Sequence, residues 1–288
     1  MAGYEMVLRG LHRFFDLCET LDLRSDAEQG RFGIYESRMR HLIATIEALE
    51  SGRPRRLLEA LAPDLAIYAE TFGESLEIIG MLDFLHQCPP AALAPMLRRV
   101  LKGPVLAADE TFNSNDARNI QFELLLGTVL TQSGMTVELA EPDLRCHVGN
   151  ISFFVACKRI WAPNRLNERI DGAIRQLQRE LTSHPEAGGI IAISVTRQLT
   201  PTDGRPIHIA SRAAAMELLS TEIEAFIARY CATWSATREA QGILFHTRGV
   251  FTNHETGTPD VGSFILMHGE SPLVEAIAKR LCEVATNS

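Results

Sequence analysis

Glu141-Pro142-Asp143-Leu144-Arg145-Cys146-His147-Val148-Gly149-Asn150-Ile151-Ser152-Phe153-Phe154-Val155-Ala156-Cys157-Lys158 is the stretch on which the reading of this chain turns. Ile151, Phe153, Phe154 and Val155 make 151–157 a short apolar run of β-favouring residues, and Gly149-Asn150 is a turn signal before it. Lys158 then closes a strand. The chain has 25 arginines and three lysines, Lys102, Lys158 and Lys279, so a lysine at that place stands out.

Outward from this stretch the pattern predicts a helix over 116–131, strands over 135–140, 143–148 and 151–158, a helix over 164–181 and a strand over 189–196. Gly188-Gly189 is expected just before that last strand. It cradles no phosphate, and no GxxxxGK[ST] occurs in the chain.

The order of these parts and the residues they carry resemble the PD-(D/E)xK nucleases, the restriction-endonuclease-like superfamily. There, a helix bears a glutamate, Pro-Asp lies on one strand, Glu-x-Lys on the next, and a following helix often bears a glutamine. The matching residues are Glu123, Asp143 after Pro142, Lys158 in Val155-Ala156-Cys157-Lys158-Arg159, and Gln176. The glutamate expected two before the lysine is replaced by Ala156. The resemblance covers residues 116–197.

It implies phosphodiester hydrolysis assisted by magnesium, with manganese as a substitute. A hard divalent cation takes oxygen ligands, neutralises phosphate and lowers the pKa of an attacking water. The implied ion ligands are Asp143, Glu123 and the backbone carbonyl of Cys157. Lys158 would orient the water or stabilise charge on the phosphate. Without a carboxylate at Ala156 such a site loses charge and metal affinity. Residues two apart on a strand share a face, so Ala156 is expected to point the same way as Lys158.

On the helix over 164–181, Leu166, Ile170, Ala173, Ile174, Leu177 and Leu181 share one face at 100° per residue. Glu168 points nearly opposite and is a poor substitute ligand. Arg165, Arg169 and Gln176 share one flank, Asp171 and Gln178 the other. Gln176 and Arg169 are therefore preferred beside the site, with Asp171 as the alternative, and Arg159, Arg165 and Arg169 are the candidate substrate contacts. On the helix over 116–131, Glu123 falls among Ile120, Leu126, Gly127 and Leu130, where an unpaired charge is costly. It is expected to need a metal or cation.

At 288 residues, with 46% hydrophobic and 22% charged residues, the chain is long enough for two domains. Nothing reads as a secretory apolar segment or as an eighteen-residue apolar run, so the expectation is a cytoplasmic protein with no membrane contact. The six cysteines show no CxxC and read as reduced thiols. Net charge is −8, unevenly placed. Residues 1–110 hold 12 basic and 17 acidic residues, whereas 145–180 hold seven basic and three acidic. A local basic patch suits phosphate contact, and equally a solvated helix face.

Residues 1–101 read as helical, with Val7, Leu8, Leu11, Phe14, Phe15 and Cys18, then Met39, Leu42, Ile43, Ile46 and Leu49, at helical spacing. The arginine clusters at 53–56 and 98–99 could touch DNA, but arginines are also ordinary at helix ends. Polar residues up to Asn115 mark a connection over 102–115. The expected domains are an α-helical part, 1–103, and an α/β part, 104–288, with a mixed β-sheet flanked by helices. Beyond the loop at 200–204, a helix over 211–234, strands over 242–252 and 262–268 and a helix over 272–284 extend the α/β part. His254-Glu255 lacks the second histidine of HExxH, Thr258 standing in its place, and no GxSxG occurs. His246, His254 and His268 read as ordinary strand-end or loop residues.

Two function classes follow. One is a magnesium-dependent nuclease acting on DNA through Glu123, Asp143 and Lys158. The other is a catalytically degenerate nuclease fold that serves as a nucleic-acid-binding or protein-interaction module, for which Ala156 and the acidic total charge speak. A homo-oligomer is compatible with either.

Overall fold

A computed structural model of the chain describes residues 2–48, 64–111, 115–199, 207–253 and 259–285. The arginines at 53–56, the pair His254-Glu255, the loop at 200–204 and part of the polar connection lie outside the described residues. The chain divides into two compact units: Met1–Gln121 with Thr200–Ala215 and Gly249–Gly262, and Phe122–Leu199 with Met216–Arg248 and Ser263–Ser288.

The first unit holds α1 (Ala2–Thr20), α2 (Arg24–Gln29), α3 (Arg31–Ala48), α4 (Leu65–Gly80), α5 (Leu82–Gln87) and α6 (Pro90–Leu101). The spacing expected for α1 is its packing. Val7, Leu11, Phe14 and Cys18 are all fully buried, and Phe14 meets Phe32 of α3 at 4.9 Å between ring centroids. The connection after α6 is tied down. Tyr35 Oη donates to the Val105 carbonyl at 2.6 Å, and Arg118 donates to the carbonyls of Pro104 and Val105.

The second unit is mixed α/β. Its strands are β1 (Thr136–Leu139), β2 (Leu144–Val148), β3 (Ile151–Arg159) and β4 (Gly188–Ser194). After β5 (Ile207–Ile209) come β6 (Gly242–Asn253) and β7 (Pro259–His268), both of which run on from one unit into the other. β1, β2 and β3 form an antiparallel meander, β3–β4 and β4–β6 are parallel, and β7 pairs with β6. The β2–β3 turn has two residues, and its first, Gly149, takes φ +57°, which a side chain would resist. β4 begins at Gly188, earlier than its glycines suggested. A Cβ on Gly189 would lie 1.8 Å from the Glu239 carbonyl, so only glycine fits.

The helices are α7 (Asp116–Gln132), α8 (Leu166–Ser183), α9 (Thr196–Leu199), α10 (Arg212–Tyr230) and α11 (Pro272–Ala285). Residues of alternating parity on the central strands bury two opposite faces. Val155, Cys157, Ala192 and Leu244 pack with Phe122 and Leu126 of α7 and Leu273 of α11. Phe154, Ala156, Ile193 and Phe245 pack with Leu166, Ile170 and Leu177 of α8 and Phe226 of α10. Burial on both faces explains the nearly continuous apolar runs of β3 and β4. Among the described residues no helix is long and apolar enough to cross a membrane.

Candidate functional site

Asp143 sits immediately before β2. The pairing Leu144↔Val155 continued by one step sets Asp143 opposite Ala156, and strand alternation puts Ala156 and Lys158 on one face. The side chains meet accordingly: Lys158 Nζ lies 3.8 Å from Asp143 Oδ2. The Cys157 N–H donates to the same carboxylate oxygen at 2.5 Å, and Lys158 Nζ donates to the Cys157 carbonyl at 2.7 Å. Burial drives the Asp143 carboxyl up to about 6, against the opposing pull of Lys158 and the Cys157 N–H, and nearby Glu141 adds to the rise.

Glu123 is half-buried on α7, beside Phe122. Its charge reaches Cys157: burial first, then Asp143 and Glu123, hold that thiol protonated. The charges of Asp143, Glu123 and Lys158 all reach the Cys157 thiol near the end of β3, with Asp143 and Lys158 meeting directly and Glu123 on the α7 side. Gln176 is half-buried on α8, and its Oε1 is buried with no hydrogen-bond partner. Arg165 forms an exposed ion pair with Glu168, and the Arg169 charge also bears on Glu168. Glu168 and Asp171 are exposed, as the helical wheel requires of Glu168.

Arg159 has the parity of Cys157 and so lies on the α7 face, opposite Lys158. There its charge, with that of Arg248, lowers the basicity of His246. Sequence reasoning passed over His246 as ordinary. Its signal was the sequence Leu244-Phe245-His246-Thr247-Arg248, in which the apolar member of each alternating pair on one face gives way to a polar one.

The donors near Asp143 do not form a divalent-ion cage as arranged. Its Oδ2 and the Cys157 carbonyl already serve the backbone N–H of Cys157 and the Lys158 ammonium, respectively. Ala156 offers no oxygen and is fully buried in the α8-facing apolar cluster. Among the described residues no group of three or more His, Cys, Asp or Glu side chains is placed to hold a metal ion.

No family profile, curated protein or solved structure matches this chain.

Proposed function

We propose that this protein is a catalytically degenerate member of the restriction-endonuclease-like superfamily that binds DNA phosphates at the strand ends carrying Asp143 and Lys158. The observation that carries this reading is the seating of Lys158 Nζ between the Cys157 carbonyl and Asp143. By the resemblance, those two oxygens are what an ion would need, and here a resident ammonium takes them. An ammonium is a compact point charge suited to a phosphate oxygen. The surplus of basic residues over 145–180 supports approach of a polyanion despite the acidic whole.

Fluorescence anisotropy with labelled duplex DNA, run beside plasmid nicking in magnesium or manganese against EDTA, tests the proposal. The expected outcome is binding that weakens with salt and with Lys158→Ala, is indifferent to EDTA, and leaves the plasmid intact. Nicking that depends on the metal would replace this reading with the second one.

The second reading, a magnesium- or manganese-dependent nuclease, is favoured by a specific observation. Asp143 is a buried carboxyl raised to about 6 even beside Lys158, with Glu141 close by. Such a group gains from additional positive charge.

A further inference from the structure

The α8 side of the antiparallel meander is covered only in part. β2 buries Leu144, Cys146 and Val148 on one face and sets Arg145 and His147, with Asp143 just before them, half-buried on the other. On that second face β1 presents Thr136 and Glu138, both exposed. α8 packs on β3 and β4 and leaves this shelf open to its side.

The helix turns a polar flank to the shelf. Ile174 and Leu181 pack into the cluster that holds Ile223 and Phe226 of α10 and Ile243 and Phe245 of β6, on the far side of β4 from β3. At 100° per residue Arg169 and Gln176 lie on the opposite flank of α8, and the β3–α8–β4 crossover, with the right hand such units take, directs that flank toward β2. Between them Gly172 leaves room, since a Cβ there would meet only Arg175 Nη2 at 3.9 Å.

Among the described residues six buried side-chain atoms lack a hydrogen-bond partner, and three of them, Arg145 Nε, Ser152 Oγ and Gln176 Oε1, belong to this shelf and flank. Ser152 lies on the same face, opposite His147. The Arg145 guanidinium is over the Phe154 ring, 5.9 Å from its centroid, and forms no ion pair. Glu138 stands opposite Arg145 in register, yet it is exposed and not bonded to it. The buried Arg31 and Arg118, by contrast, each have carboxylates. A cation drawn partly out of water without a counter-charge is costly. An enclosed water could take the Nε–H but brings no negative charge. The terminal nitrogens are open to solvent, and an anion there supplies both acceptor and charge.

We propose that Arg145, with Gln176 on the facing flank of α8, binds a further phosphate of the nucleic-acid strand held at Lys158. The inference rests on the DNA-binding reading above and extends it along β2. Arg145 lies two residues beyond Asp143 on the same face, about 7 Å along the strand. Each strand of a duplex offers one phosphate per about 3.4 Å of axis, so a second cation at that spacing meets a further phosphate. A guanidinium can grip two of its oxygens, and the Gln176 amide, which makes no hydrogen bond in the protein, can donate to a third.

Two measurements separate this contact from the reading it extends. The arginine Nε–H signals of the full-length protein, that of Arg145 assigned with Arg145→Lys, are followed by NMR as inorganic phosphate and duplex DNA are added in turn. Duplex binding is followed by anisotropy over a salt series for the wild type, Arg145→Ala, Gln176→Ala and Lys158→Ala. The Arg145 signal should shift to saturation with both ligands. Arg145→Ala should raise the Kd about tenfold and flatten the salt slope by about one, and Gln176→Ala should raise the Kd about threefold. Duplex binding that weakens in Lys158→Ala but is unchanged in Arg145→Ala overturns the Arg145 contact and leaves the Lys158 reading standing. An Arg145 signal that moves with phosphate in a protein that binds no duplex keeps the anion contact and overturns nucleic acid as its source. A signal unmoved by either ligand overturns the contact outright. If Arg145→Ala does not fold, Arg145→Gln, which keeps a stem over Phe154, takes its place with the same expected loss.

Discussion

Lys158 Nζ stands 3.8 Å from Asp143 Oδ2, with their side chains only 16% and 11% exposed, so the pair is nearly withdrawn from water. Breaking a buried pair from one side leaves the other charge without compensation, which costs about 3–5 kcal/mol in full burial. With the residual exposure, Lys158→Ala is expected to lose about 2 kcal/mol at pH 8. At pH 5 the loss should shrink, because the remaining carboxyl, already raised to about 6 and now without Lys158, is then protonated. Urea unfolding at the two pH values measures this. Equal losses would show that packing of the lysine stem, not charge, is the cause.

Asp143 and His246 pull the pH dependence of stability in opposite directions. Asp143 has a folded pKa of about 6 above its ordinary 3.8, so its contribution is fully present below 3.8 and is lost as pH rises through 6. His246 is lowered from 6.5 to about 3, so the unfolded chain takes up its proton first. Its contribution is present above 6.5 and is lost as pH falls towards 3. Between these limits the two partly cancel. Asp143→Asn should therefore steepen the loss of stability from pH 6.5 to 4, and His246→Gln should flatten or invert it, read as urea midpoints. Parallel curves for all three proteins would remove both groups from the account.

Ala156 is an unfavourable place for a carboxylate. It is fully buried, packed with Phe154, Ile160, Leu166 and Ile170. Larger side chains in a filled core cost about 1–3 kcal/mol before any charge is buried. Ala156→Glu should thus destabilise the protein by more than about 3 kcal/mol, with Ala156→Ser costing far less. Thermal midpoints with and without magnesium decide what the glutamate does. No recovery with magnesium is expected, and a clear recovery would restore Ala156 as a vacated ligand position.

The meander, α7 and α8 were legible because each carries its own local signal: the β-favouring run before Lys158, the glycine turn at Gly149, the six-residue apolar stripe of α8. The Asp143–Lys158 meeting followed from strand order alone. What escaped was whatever depends on register between strands distant in sequence. Nothing local says that Arg159, Ser194 and His246 will stand side by side, since β3, β4 and β6 are joined through helices and not by hairpins. Ala156 reads as a lost ligand position sharing a face with Lys158; strand alternation tells which way a side chain points, not what helix covers it. The exposed ion pair of Arg165 with Glu168 lies beyond what a helical wheel shows.

Glu74 on α4 ties together the buried polar core of the first unit. Its carboxylate lies 3.3 Å from Arg31 Nη1, 3.5 Å from Arg118 Nε and 3.3 Å from Gln121 Nε2. Arg31 also donates to Gln121 Oε1, its side chain is wholly buried, and burial lowers its pKa. Glu70, Glu74 and Glu77 recur at helical spacing on the otherwise apolar α4, which is why they converge on this cluster. Removing the central carboxylate takes the buried counter-charge from Arg31, whose other acceptor is the neutral Gln121 amide, whereas Arg118 keeps Glu70 at 3.3 Å and Glu110 at 3.6 Å. Glu74→Ala should cost about 3–5 kcal/mol, and Glu74→Gln, which keeps the shape and one acceptor, should recover part of it. The double change Arg31→Met, Glu74→Leu removes the 3.3 Å pair together and leaves Arg118 with Glu70 and Glu110, so it should cost less than Glu74→Ala alone. Urea unfolding of the four proteins gives the comparison. A double variant at least as damaged as Glu74→Ala would mean that the network holds the helices in place through its specific geometry, beyond the compensation of its charges.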